Sequence, residues 1–217
     1  MINYLSLKDI VYEYISGQIR SKALEPGERI NEQSICEALQ ISRTPVREAL
    51  IQLAYEGYIR QIPRRGFVVE TIDSQRARHI YRIIGVLEAL AAVECLKRPD
   101  GVDTVELEKL VIQMDEAIDT GAYERYYELQ NQFHDTYIKT SDSEDLIRIL
   151  DSLKKIFIKQ SYSEMGQGEY FKEILHKTNA QHSEIVALFK KGDAEVLRRY
   201  IRDVHWDTTY ADMETLV

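Results

Sequence analysis

Five arginines, Arg43, Arg47, Arg60, Arg64 and Arg65, stand between positions 43 and 66 against two glutamates, Glu48 and Glu56, a local charge of +3. Arg43 and Arg47 are four residues apart, so on a helix they share a face. A guanidinium on such a face can bond guanine O6 and N7 together, which neither lysine nor a neutral side chain can copy. Thr44 and the unpaired N–H groups of a helix start suit a phosphate oxygen. The chemistry these spacings allow is the reading of duplex DNA.

The elements that must position these groups are legible around them. Leu7, Ile10, Val11, Tyr14, Ile15 and Ile19 recur at helical spacing over residues 6–22, with Ser6 and Asp9 as a capping box, and Pro26-Gly27 stops the helix. A short second helix starts at Asn31 and carries Ile35 and Leu39. A third is expected to take Thr44 as N-cap and Pro45 as first residue and to end at Gly57. Two β-prone runs, 58–62 and 67–71, flank Pro63-Arg64-Arg65-Gly66 and predict a hairpin with a basic tip. Gly66 there would allow both a tight turn and close approach to a minor groove or backbone. Three helices and a hairpin make a winged helix-turn-helix.

Beyond Ile72 the pattern is helical almost throughout. Segments are expected from Ser74 to before Pro99, from Asp103 through Ile118, and over 123–140, 143–163, 170–191 and 194–214. The fold class is therefore mainly α: a winged helix-turn-helix over 1–72, then an all-α bundle over 73–217. The net charge of −8 would by itself argue against a nucleic-acid partner. Residues 1–72, however, hold nine basic and nine acidic side chains, and residues 73–217 hold 19 and 27. The acidity belongs to the second part alone.

The run Pro26-Gly27-Glu28-Arg29-Ile30-Asn31-Glu32, followed by Ile41-Ser42-Arg43-Thr44-Pro45-Val46-Arg47-Glu48-Ala49-Leu50, Leu53-Ala54-Tyr55-Glu56-Gly57-Tyr58-Ile59 and Arg64-Arg65-Gly66-Phe67-Val68-Val69, resembles the DNA-binding domain of the GntR family of bacterial transcription regulators. The resemblance implies DNA contacts from Arg43, Thr44, Pro45, Arg47, Arg64, Arg65 and Gly66. It adds Gln33, at a position where relatives carry a basic residue; Gln33 can hydrogen-bond but supplies no charge. Leu87-Glu88, Gln130-Asn131-Gln132-Phe133-His134 and Gln181-His182-Ser183-Glu184-Ile185 resemble the FCD ligand-binding domain of the FadR-type branch.

The FCD resemblance implies a divalent metal, Zn or Ni, at positions that map to Gln130, His134, His182 and Tyr200. Gln130 and His134 are one helical turn apart. An amide oxygen and a protonated phenol are poorer ligands than carboxylate and imidazole, so the two replacements weigh against Zn²⁺. His205, five residues past Tyr200 and about 140° around an ideal helix, is not expected to complete the set. The implied effector pocket takes in Tyr81, Ile84, Glu88, Gln130 and Tyr200. Ile84 replaces an arginine that in relatives suits a carboxylate ligand, and Arg82 points elsewhere, so the tyrosines would face a neutral or larger effector.

The function so implied is a ligand-responsive, DNA-binding transcription regulator, expected to be a repressor. Since one recognition helix reads only a few base pairs, a homodimer on a palindromic double-stranded operator is expected. The alternative is a constitutive repressor whose helical domain only dimerises. An enzyme is not expected: no nucleophile elbow, phosphate loop or His-Glu-x-x-His run is present. Cys36 and Cys95 lack paired spacing and read as buried thiols of a cytoplasmic protein. Neither a signal peptide nor a membrane span is expected.

Overall fold

Ser6 opens α1 (Leu7–Arg20) with the expected capping box, its hydroxyl accepting from Asp9 N–H at 3.2 Å while the Asp9 carboxylate accepts from Ser6 N–H at 3.0 Å. Asn31 caps α2 (Glu32–Leu39) through Oδ1, which accepts from the N–H groups of Gln33 and Ser34. The third helix, α3 (Arg43–Tyr55), departs from expectation: Ser42 occupies the cap position, and Thr44 and Pro45 are the second and third helical residues. Proline is tolerated throughout a first turn because those N–H groups have no intrahelical acceptor. These assignments come from a computed structural model that describes residues 6–21, 23–70, 74–154 and 169–211.

Strands β1 (Ile59–Ile62) and β2 (Gly66–Val69) pair antiparallel, with Ile59 opposite Val69 and Ile62 opposite Gly66. The backbone before α2 adds to the other edge of β2: Ile30 N–H donates to Phe67 O and Val69 N–H to Glu28 O, both at 2.9 Å. That ties the hairpin to the entry of α2. Val11, Ile15, Val46, Ala49, Leu50, Leu53 and Ile59 are all at most 1% exposed and fill the space between the three helices and the hairpin. Burying each large aliphatic side chain stabilises by about 1.5–3 kcal/mol.

The chain divides after Ile72 into two compact units. In the second, the described helices are α4 (Ser74–Leu96), α5 (Thr104–Asp119), α6 (Tyr123–Thr140), α7 (Glu144–Lys154), α8 (Glu169–Lys191) and α9 (Ala194–Tyr200). Asp103 and Asp193 cap α5 and α9 through their carboxylates. Part of the segment predicted over 143–163 lies outside the described residues. The segment predicted over 194–214 is corrected: α9 ends at Tyr200 and widens into a π-helical turn, Ile201–His205. Trp206 N–H donates to Ile201 O at 3.0 Å, closing this wider turn. No helix among the described residues is long and apolar enough to cross a membrane.

Helix α4 packs on α6, α9 and the π turn, while α5 packs on α6 and α8. The buried face of α4 is rich in small residues, Ala77, Gly85, Ala89, Ala91 and Ala92, which let neighbouring backbones come close. At Gly85 the approach is closest: a Cβ there would lie 2.9 Å from Trp206 Cβ and 3.2 Å from Arg202 O. Gly85→Ala must therefore displace the π turn, at a cost on the order of 1–3 kcal/mol. Thermal unfolding followed by tryptophan fluorescence is expected to show a melting temperature several degrees lower, because Trp206 is the sole tryptophan.

Candidate nucleic-acid interface and candidate metal centre

The predicted DNA-contacting side chains fall on three short stretches of the first unit. Arg43, Thr44 and Arg47 are exposed on the first turns of α3, with Pro45 half-buried among them. Arg64 and Arg65 are exposed at the hairpin tip. Arg64 (φ 65°) and Gly66 (φ 82°) both adopt left-handed backbone, and Arg65 N–H closes the turn on Ile62 O at 3.0 Å. A depression of about 480 Å³ joins these stretches; Arg29, Asn31, Glu32, Gln33, Arg43 and Gly66 line it. Its Arg29 and Asn31 were not singled out from the sequence, although both sit in the segment that pairs with β2 and enters α2.

Helix α2 takes hold of the two leading arginines. Arg47 Nε donates to Glu32 Oε2 at 3.0 Å. Arg43 Nη2 donates to Gln33 Oε1 at 2.9 Å, and Gln33 Nε2 donates to Glu37 Oε1 at 2.8 Å. Both ends of the Gln33 amide are thus engaged, one of them by a residue expected to read bases. Arg60 is turned along the hairpin, pairing with Glu70 at 3.2 Å.

In the second unit three buried imidazoles converge. His134 comes from α6, His182 from α8 and His205 from the end of the π turn. His134 Nε2 lies 3.4 Å from His182 Nε2 and 3.3 Å from His205 Nε2. The opposite nitrogens face outward to oxygens. His182 Nδ1 meets Asn179 Oδ1 at 3.2 Å, and Asn179 Nδ2 donates to Val111 O at 3.0 Å, which fixes the amide orientation. His205 Nδ1 meets Gln181 Oε1 at 3.1 Å, with Gln181 Nε2 donating to Tyr210 Oη. His134 Nδ1 lies 3.0 Å from Glu88 Oε1 and 2.8 Å from Tyr137 Oη.

These partners assign the tautomers. An amide or carboxylate oxygen accepts, so each Nδ1 carries hydrogen, and a ring that is neutral then presents its Nε2 lone pair inward. Burial, with His205 and His134 alongside, holds His182 well below the usual imidazole range, so it is a neutral donor of that lone pair. Lone pairs pointed at one another repel unless a cation lies among them. Nitrogens held about 2.0–2.1 Å from a tetrahedral ion stand about 3.3–3.4 Å apart, which matches the two spacings found. The donor set therefore fits a borderline divalent ion of the Zn or Ni type. Outward N–H groups bonded to oxygen are the usual means of orienting metal-binding histidines.

Tyr200 and Gln130, mapped from the resemblance to the metal site, are not among the three converging imidazoles. Tyr200 is half-buried and its neighbours are Glu184 and Tyr210; burial and the Glu184 charge push its phenol up. His205 takes the third place instead, because it follows buried Leu197 by eight residues and buried Ile201 by four, on the face turned to α4 and α8. The π turn carries it there, which an α-helical count from Tyr200 does not show. Gln130 lies one turn from His134 and is half-buried; the groups that meet His134 are Glu88 and Tyr137.

Of the predicted effector residues, Tyr81, Ile84 and Glu88 share the buried face of α4. The Tyr81 ring stands edge-on to Trp206 at 5.0 Å and Ile84 is fully buried in the core. Trp206 Nε1 donates to Glu88 Oε2, so this carboxylate ties α4 both to His134 and to the residue after the π turn. Burial and the Glu88 charge push the Tyr137 phenol well up, so it keeps its proton to donate to Glu88. A cavity of about 380 Å³ among the described residues is lined by Asp119, Thr120, Tyr123, Glu169 and Lys172, and none of the five expected residues lines it.

Comparison with known proteins gives the same division. Residues 7–69 match the family described as bacterial regulatory proteins, gntR family, and residues 79–205 match the FCD domain. The chain is 29% identical to the Nta operon transcriptional regulator of Aminobacter aminovorans, over 60% of this chain and 61% of that one. It is 24% identical to the HTH-type transcriptional repressor RspR of Escherichia coli, over 87% and 81%. The solved structure of E. coli McbR/YncC has the same fold, with a TM-score of 0.71 at 23% identity, covering 97% of this chain and 98% of that one. With a winged helix-turn-helix that presents exposed arginines ahead of an FCD domain, this chain belongs to the gntR family of bacterial regulatory proteins and is a DNA-binding transcription regulator, not an enzyme.

Proposed function

We propose that the protein is a metal-dependent, effector-responsive repressor that acts in the cytoplasm as a homodimer on a palindromic operator. The observation that carries this reading is the convergence of the three buried imidazoles of His134, His182 and His205, each oriented from behind by an oxygen. A divalent ion held there would supply positive charge and a coordination position for an oxygen donor of the effector, a role that buried, aliphatic Ile84 does not offer. Its occupancy would act on DNA affinity only through different affinities for the arrangements of the two reading heads.

Homodimerisation is supported by an exposed apolar stripe on α4: Ile83, Val86 and Leu90 are 48%, 53% and 45% exposed at spacings of three and four residues. A second copy set on this stripe would remove it from water and join two heads whose separate affinities are modest. Val86→Glu is expected to give a monomer in sedimentation and to weaken operator binding, with melting temperature little changed.

The metal is tested by thermal shift with Zn²⁺, Ni²⁺ and EDTA. An ion at a hundredfold its Kd stabilises by about 2.7 kcal/mol, so the melting temperature should rise with metal and fall with chelator. His205→Ala should abolish the response and Tyr200→Phe should keep it; the reverse would return the third ligand to Tyr200. For DNA, Arg47→Ala is expected to cost about 1–3 kcal/mol of operator binding and to relax the preference at one base pair. A gel-shift titration at fixed salt, with a duplex selected from a random pool, reads both.

A further inference from the structure

We infer that Glu32 is a specificity-determining residue of the DNA-reading surface: it positions Arg47 for base recognition and contacts no base itself. The inference rests on the reading of Arg47 as a base-contacting residue and goes one step behind it. Arg47 is exposed, with 67% of its side chain in solvent, and a side chain so free would sample many rotamers. Glu32 limits them. Its carboxylate is 23% exposed, stands in the first turn of α2 where the helix dipole favours a negative charge, and accepts Arg47 Nε at 3.0 Å.

The choice of Nε matters. A guanidinium has five N–H groups, one on Nε and four on the two Nη atoms. With Nε held by Glu32, the outer edge of the fork keeps both Nη groups for two acceptors side by side, and guanine presents O6 and N7 in that way. One turn earlier Arg43 is held as well, there through Nη2 by Gln33 Oε1, while Gln33 Nε2 donates to Glu37. Glu32 also lines the depression with Gln33, Arg43 and Gly66, so its charge lies beside the path of the phosphates. A negative charge there weakens indiscriminate attraction to DNA while it aims the arginine. Both effects raise the ratio of specific to random binding.

The test uses the full chain, a duplex selected by the protein from a random-sequence pool, and a random duplex of equal length, at one salt concentration. The readout is the ratio of the two affinities, which cancels any difference in active fraction between variants. Glu32→Ala is expected to lower this ratio about tenfold, the range of one bidentate base contact. Glu32→Gln, whose Oε1 can still accept from Nε, is expected to keep most of it. In an Arg47→Ala background, Glu32→Ala is expected to lower the ratio only slightly, since the residue it positions is gone and only the effect of its charge remains. An unchanged ratio in Glu32→Ala, or an equal fall with and without Arg47, overturns the inference while leaving Arg47 as a reader. An unchanged ratio in Arg47→Ala overturns both.

Discussion

The second unit is organised around one buried carboxylate. Glu88 is fully buried in the middle of α4, and a charge in that position is costly unless hydrogen-bonded partners surround it. Its partners come from three other places in the chain: Trp206 after the π turn, and His134 and Tyr137 on α6. Satisfying Glu88 thus fixes where α6 and the π turn lie relative to α4. It also fixes the His134 tautomer, because Nδ1 must donate outward. The inward lone pair of the candidate metal centre follows from how one acid is accommodated.

The first unit solves a different problem, which is to hold long cationic side chains in an exposed place. It does so with α2, whose first-turn residues reach across to α3 and engage Arg43 and Arg47. The hairpin is fixed by backbone pairing to the entrance of that same helix. Helix α2 is therefore the common reference for the recognition helix and the wing, and its own position depends on Asn31 as cap and on buried Ile35.

Much of this was legible in residue order because local chemistry decided it. Ser6, Asn31, Asp103 and Asp193 mark helix starts in any context, and Pro63-Arg64-Arg65-Gly66 between two β-prone runs leaves little but a hairpin. The histidine centre was only half legible. His134 and His182 stand in regular helices, whereas His205 reaches the centre through a turn whose hydrogen bonds skip five residues instead of four. The cap of α3 was displaced because proline fits several first-turn positions, so Thr44-Pro45 did not fix a start. The grip of Glu32 on Arg47 spans 15 residues and two helices, and no periodicity within either helix encodes it.

The π turn has a consequence for comparing this chain with its relatives. A helix that contains one widened turn keeps its sequence continuous while changing which residues share a face, so two aligned chains can bring residues of different columns to the same point in space. Columns beyond Ile201 do not translate into positions by counting. Where a relative lacks a histidine in the column of Tyr200, as here, the residue to inspect is the one that follows the buried aliphatic pair, Leu197 and Ile201, on the inward face. The loss of a metal centre can then be distinguished from its migration along the helix.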